Sequence, residues 1–84
     1  MKLKERMLAE LAKTYEPSTL VERKFGRYDI AIKTDEVGRP ILLFMGSKDE
    51  NGHIRGERYA RRLKFNDVGD VLKDHWEHKG KAIP

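Results

Sequence analysis

Five bases crowd one stretch of this chain. Between His53 and Phe65 stand Arg55, Arg58, Arg61, Arg62 and Lys64, against the single acid Glu57. Their excess equals the formal charge of the whole chain, +4 from 18 Lys and Arg against 14 Asp and Glu. Arginine presents a planar fork of donors that fits phosphate oxygens, so an arginine-rich segment is a candidate phosphate-facing surface. Tyr59 and Phe65 interleave with these bases and are candidates to stack on nucleobases. Together these residues form a candidate site for single-stranded DNA or RNA.

Other chemistry has little support. Cysteine is absent, which excludes disulfides, thiolate zinc sites and cysteine nucleophiles. The seven glycines fall mostly in turns and form neither GxGxxG nor GxxxxGK[ST] spacing. Ser18 and Ser47 are the only serines, and neither sits in a GxSxG elbow. Carboxylates stand in turns or beside bases, where they act as solvated partners rather than as acids with raised pKa values. No catalytic residue is assigned, and no enzymatic activity is expected. Asp74-His75-Trp76-Glu77-His78 is the one cluster with ligand chemistry. On a helix His75 and His78 would share a face; on a strand they point to opposite sides. No motif supplies a third ligand, so neither a metal nor a cofactor is expected, and Trp76 reads as core.

The elements that must position the basic segment follow from periodicity. Leu3, Met7, Leu11 and Tyr15 recur every fourth residue, which predicts an amphipathic helix over 1–16, closed by Glu16-Pro17. Residues 18–24 fit a strand, a short helix or a loop. From Phe25 the period changes to two, with Tyr28, Ile30 and Ile32 on one side. Asp35-Glu36-Val37-Gly38, Asp49-Glu50-Asn51-Gly52 and Asn66-Asp67-Val68-Gly69 share Asp or Asn first and Gly fourth. That is a type I turn followed by a glycine bulge, a common hairpin connection. Three such turns predict four antiparallel strands near 26–34, 40–48, 53–65 and 70–78. The competing reading of Asp70 to His78 is a C-terminal helix, since Val68, Val71, Leu72, His75 and Trp76 also fit a helical stripe.

The expected fold is therefore α+β: one domain over 1–84, with the helix packed on a β-meander over 25–78 and a frayed tail at 79–84. Turn geometry sets the expected register: Ile32 opposite Leu42, Ile30 opposite Phe44, Leu43 opposite Tyr59 and Ala60 opposite Trp76. The helix-covered core would then hold Ile30, Ile32, Leu42, Phe44 and Trp76. The reverse face would expose Ile41, Leu43, Met45 and Leu63, a candidate surface for a protein partner or a homodimer. The favoured function is a non-catalytic binding module for nucleic acid, with that interaction face as the alternative. The longest apolar run, Ile41 to Met45, falls far short of the ~20 residues that span a bilayer. The charged start MKLKERMLAEL lacks a signal-peptide core, so a cytoplasmic location away from membranes is expected.

Overall fold

The computed structural model describes residues 3–82. Its elements are α1 (Glu5–Leu11), β1 (Leu20–Phe25), β2 (Tyr28–Thr34), β3 (Pro40–Lys48), β4 (Ile54–Phe65) and β5 (Val71–Ala82). The strands form one antiparallel sheet in the order β1-β2-β3-β4-β5. This corrects the α+β expectation: the described residues are mostly β, with five strands and a single helix of seven residues. The extra strand comes from residues 18–24. Gly26, at φ 59°, opens a two-residue loop in which Phe25 pairs with Tyr28, and glycine at that first loop position is what such a hairpin favours. At the other end, strand β5 runs on to Ala82, so the tail expected to fray from residue 79 is part of the sheet. Ile83 and Pro84 lie outside the described residues.

The helix stops at Leu11, well short of residue 16, because the chain is pulled onto the sheet. The Tyr15 N–H donates to the Gly38 carbonyl at 2.8 Å, and the Tyr15 hydroxyl donates to the Glu10 carbonyl at 2.8 Å. Thr34 then pins the entry to β1. Its hydroxyl donates to the Glu16 carbonyl at 2.6 Å and accepts from the Thr19 N–H at 2.9 Å.

The three Asx-x-x-Gly tetrads close their hairpins alike. In each, the N–H of the first residue (Asp35, Asp49 or Asn66) bonds to the carbonyl of the fifth, and the glycine N–H bonds back to the first carbonyl. The Asx side chain accepts the N–H groups of the third and fifth residues. Gly38, Gly52 and Gly69 sit at φ 89°, 80° and 88°, a region costly to any residue with a Cβ.

Three register shifts interrupt the ladders, one of them between Glu57 and Tyr59, and the other two change which residues share a face. Thr34 pairs with Pro40 but Lys33 with Leu42, leaving Ile41 unpaired; Phe65 pairs with Val71 but Lys64 with Lys73, leaving Leu72 unpaired. Pro40 has no N–H to give the ladder, which accounts for the first slip. The pairing of β3 with β4 is regular over Leu42–Ala60, Leu43–Tyr59 and Phe44–Arg58. A one-residue slip turns every following side chain over. Ile32 therefore faces Leu43 rather than Leu42, and Trp76 faces Arg61 rather than Ala60. The core is Met7, Leu11, Ile30, Ile32, Leu43 and Tyr59, with Val21, Phe25, Met45 and Trp76 packed around it. Leu42 and Phe44, expected there, lie on the reverse face.

Strands β3 and β4 meet most closely at Gly46 and Gly56. A Cβ on Gly46 would overlap the Arg55 carbonyl oxygen, and one on Gly56 the Met45 carbonyl oxygen. Gly46→Ala must force the two backbones apart, and it is expected to cost about 2–3 kcal/mol. Val68→Ala, at an 80% exposed turn position, should stay within about 0.5 kcal/mol. Urea denaturation midpoints of both variants check this; equal midpoints would overturn the close-approach argument.

Candidate nucleic-acid interface

Alternation along β4 divides the basic segment between the two faces of the sheet. Arg55, Tyr59, Arg61, Leu63 and Phe65 point to the side that α1 covers, and Arg58, Arg62 and Lys64 to the other. On the helix side the bases are engaged. Arg55 bonds to Asp49 at 3.0 Å. Arg61 holds Asp74 with two bonds of 2.7 and 2.8 Å, and it donates to the carbonyls of Pro40 at 3.2 Å and Leu11 at 3.4 Å. Its side chain is 10% exposed, so it is a structural clamp rather than a phosphate ligand.

The expected stacking residues are also on the covered side. Tyr59 is fully buried; its ring lies 5.1 Å from that of His78, and its hydroxyl has no partner among the described residues. Phe65 is exposed, but the Arg39 guanidinium covers its ring at 4.8 Å. The expected interaction face is corrected too. Leu43 is fully buried, Met45 packs against the core, and Ile41 and Leu63 are half-buried. They sit on or beside the surface α1 covers, where a partner cannot reach Leu43.

The reverse face carries no helix, and its charges do not balance. Its acids are each engaged: Glu22 by Lys48 at 3.7 Å, Asp29 by Lys24 at 3.3 Å and Glu77 by Arg62 at 3.0 Å. Among the described residues, Lys33, Arg58, Lys64 and Lys73 on this face are exposed and form no ion pair. Lys64 stands directly opposite Lys73, and Arg62 directly opposite His75. Like charges opposed across a ladder repel, so the Lys64–Lys73 pair weakens the bare sheet. Half-buried Leu42 and Phe44 occupy the centre of the same face, Phe44 between Ala31 and Arg58. A cleft of about 620 Å³ opens beside them, bounded by Ser18, Leu20 and Lys33.

Of the bases expected from the sequence, Arg58, Arg62 and Lys64 lie on this reverse face, together with Lys33, Lys73 and Phe44, which the sequence does not assign to the candidate site. No local signal marks these three, because the bulges at Ile41 and Leu72 decide their neighbours. His75 and His78 fall on opposite faces, His78 bonded to Glu57 at 2.7 Å. Among the described residues no cluster of three His, Asp or Glu could hold a metal ion. Among the same residues no helix is long and apolar enough to cross a membrane.

Asp74, Asp49 and Glu57 are stabilised as anions. The hydrogen bonds from Arg61 hold Asp74 below the usual carboxylate range, those from Arg55 do so for Asp49, and those from His78 for Glu57. Burial, in contrast, pushes the Tyr59 hydroxyl up. With folded-state carboxyl pKa values depressed, the unfolded chain takes up protons first as pH falls. Stability is therefore complete above about pH 5 and declines as pH drops through and below the ordinary carboxylate values near 4. Thermal melts should show a flat Tm from pH 7 to about 5 and a fall toward pH 3. A Tm that rises on acidification would contradict the assignment.

Arg61→Ala breaks four bonds at once. The expected cost is about 2–3 kcal/mol, below the 3–5 of a fully buried pair because the Asp74 side chain can rehydrate. Arg55→Ala, removing an exposed pair, should cost under about 1 kcal/mol. Chemical denaturation of the two variants provides the comparison. The chain matches no family model, no curated protein and no solved structure, so its function is argued from this surface.

Proposed function

We propose that this protein is a non-catalytic nucleic-acid-binding module that lays a phosphate backbone across the helix-free face of its sheet. Arg58, Arg62, Lys64 and Lys73 make the phosphate contacts. The observation that carries this reading is the directly opposed Lys64–Lys73 pair, with no acid engaging either. A sheet that sets two lysines at directly opposed positions sustains a repulsion, and a polyanion lying between them relieves it. Arg58 and Arg62 extend the positive band along β4; Arg62 has an acid neighbour in Glu77, which a phosphate would displace or share. Nothing in the reading calls for a reaction. Asp74, Glu57 and Glu77 are tied to bases and held ionised, which suits charge pairing rather than general acid work.

The alternative of a protein partner or homodimer on Ile41, Leu43, Met45 and Leu63 has less support, since Leu43 is fully buried in the core it shares with Met7 and Leu11 of α1. No other observation favours it.

Fluorescence anisotropy with a twelve-residue thymidine oligonucleotide tests the proposal. Four contacts on a single strand give a log–log salt slope of about −2.8, a loss of about 50-fold in affinity between 50 and 200 mM salt. The double variant Lys64→Ala/Lys73→Ala should halve that slope to about −1.4 and leave Tm unchanged or slightly higher, because it removes a repulsion. Arg55→Ala, on the other face, should bind like wild type. Equal weakening by Arg55→Ala and by the double variant would overturn the assignment of the site.

A further inference from the structure

We infer that the cleft at the β1–β3 end of this same face takes one unpaired nucleobase, which makes the surface selective for single strands. The inference rests on the phosphate-binding reading above and adds to it a base-binding subsite. Its floor is Leu42 and Phe44, two large apolar side chains that the Ile41 bulge turns away from the core. The half-exposed Leu20 forms a wall, and Ser18 and Lys33 stand at the rim. The cleft, about 620 Å³, is open to solvent, so a flat group can enter it from the face of the sheet.

The arrangement around Phe44 suits stacking. On one side its cross-strand neighbour is Ala31, too small to cover the ring; on the other it is Arg58, an unpaired cation. A base laid on Phe44 places its own phosphates between Lys33 and Arg58. From there the backbone can continue toward Lys64, two strands and four residues beyond Lys33 and about 17 Å away, and Lys73, three strands across and about 20 Å away. Aromatic stacking is tolerant of sequence because every base has a π-face. A base held in a duplex keeps its faces against its neighbours and cannot enter, so duplex DNA meets only the cations.

Charge selects this occupant over a second copy of the chain. An isologous dimer on this face would bring Lys33, Arg58, Lys64 and Lys73 of each copy against the same cations of the other. A recessed apolar floor with a basic rim fits a flat base carrying phosphates. An anionic lipid surface would instead be met by protruding apolar side chains.

Four probes separate the outcomes: the thymidine twelve-mer, an abasic twelve-mer with the same phosphates, a duplex of the same length, and vesicles of phosphatidylserine and phosphatidylcholine. At constant salt the thymidine strand should bind about tenfold more tightly than the abasic strand or the duplex, the worth of one stacked base. Phe44→Leu, which keeps an apolar side chain, should remove that tenfold advantage and leave abasic binding unchanged. Lys33→Ala, at an exposed position that cannot affect folding, should weaken the thymidine strand several-fold. If wild type binds thymidine and abasic strands equally, both with a steep salt slope, the base subsite is overturned while the phosphate reading stands. If Phe44→Leu weakens all nucleic-acid probes alike, Phe44 acts through the fold and the subsite is likewise overturned. If no nucleic acid binds at 50 mM salt, or only the vesicles do, the phosphate reading itself fails and the subsite with it.

Discussion

The guanidinium of Arg61 joins parts of the chain that nothing else connects so directly. From β4 it reaches Asp74 on β5, the carbonyl of Pro40 at the start of β3 and the carbonyl of Leu11 at the end of α1. A seven-residue helix is far too short to persist in water by itself. It stays because Met7 and Leu11 enter the core and because its last carbonyls find donors in Arg61 and the Tyr15 hydroxyl. Once α1 is held there, Leu43, Tyr59, Ile30 and Ile32 lose their exposure to water, and one face of the sheet becomes the core. Trp76 lies beneath the same guanidinium at 5.8 Å, so the clamp also closes the β5 side of that core.

This arrangement gives the two faces opposite electrical characters. The covered side of the sheet matches most of its bases with acids, Arg61 with Asp74, Arg55 with Asp49, Lys81 and His78 with Glu57, while Arg23 lies over the Tyr15 ring. The reverse side keeps cations that nothing offsets, around a small apolar centre. A sheet with one balanced face and one unbalanced face has a direction in which it meets other molecules. That asymmetry, rather than the total charge, is the basis for assigning a polyanion to it.

Much of the backbone plan was legible in sequence. The Asx-x-x-Gly tetrads act within five residues, through the turn's own side chain and glycine, so no distant partner is needed to recognise them. Alternation at Tyr28, Ile30 and Ile32 placed β2 for the same local reason. Strand β1 was harder to see: Arg23 and Lys24 blur its alternation, and only Gly26 hints at the hairpin that recruits it. The helical stripe in the sequence continues to Tyr15, but the helix ends at Leu11 because hydrogen bonding to Gly38 draws Tyr15 away.

The candidate site shows where local reading runs out. Sequence alone determined that a short basic segment exists, that it lies on a strand and that its strand is bounded by tight turns. It could not determine which of those bases are free, because this depends on the face each one occupies and on the acids across the ladder. Two unpaired residues, Ile41 and Leu72, decide both. A bulge arises from competition for hydrogen bonds between two strands distant in sequence, and each bulge exchanges the buried and exposed sets. The tertiary structure therefore sent Arg61 and Tyr59 into the interior and left Arg58, Lys64, Lys73 and Phe44 facing outward.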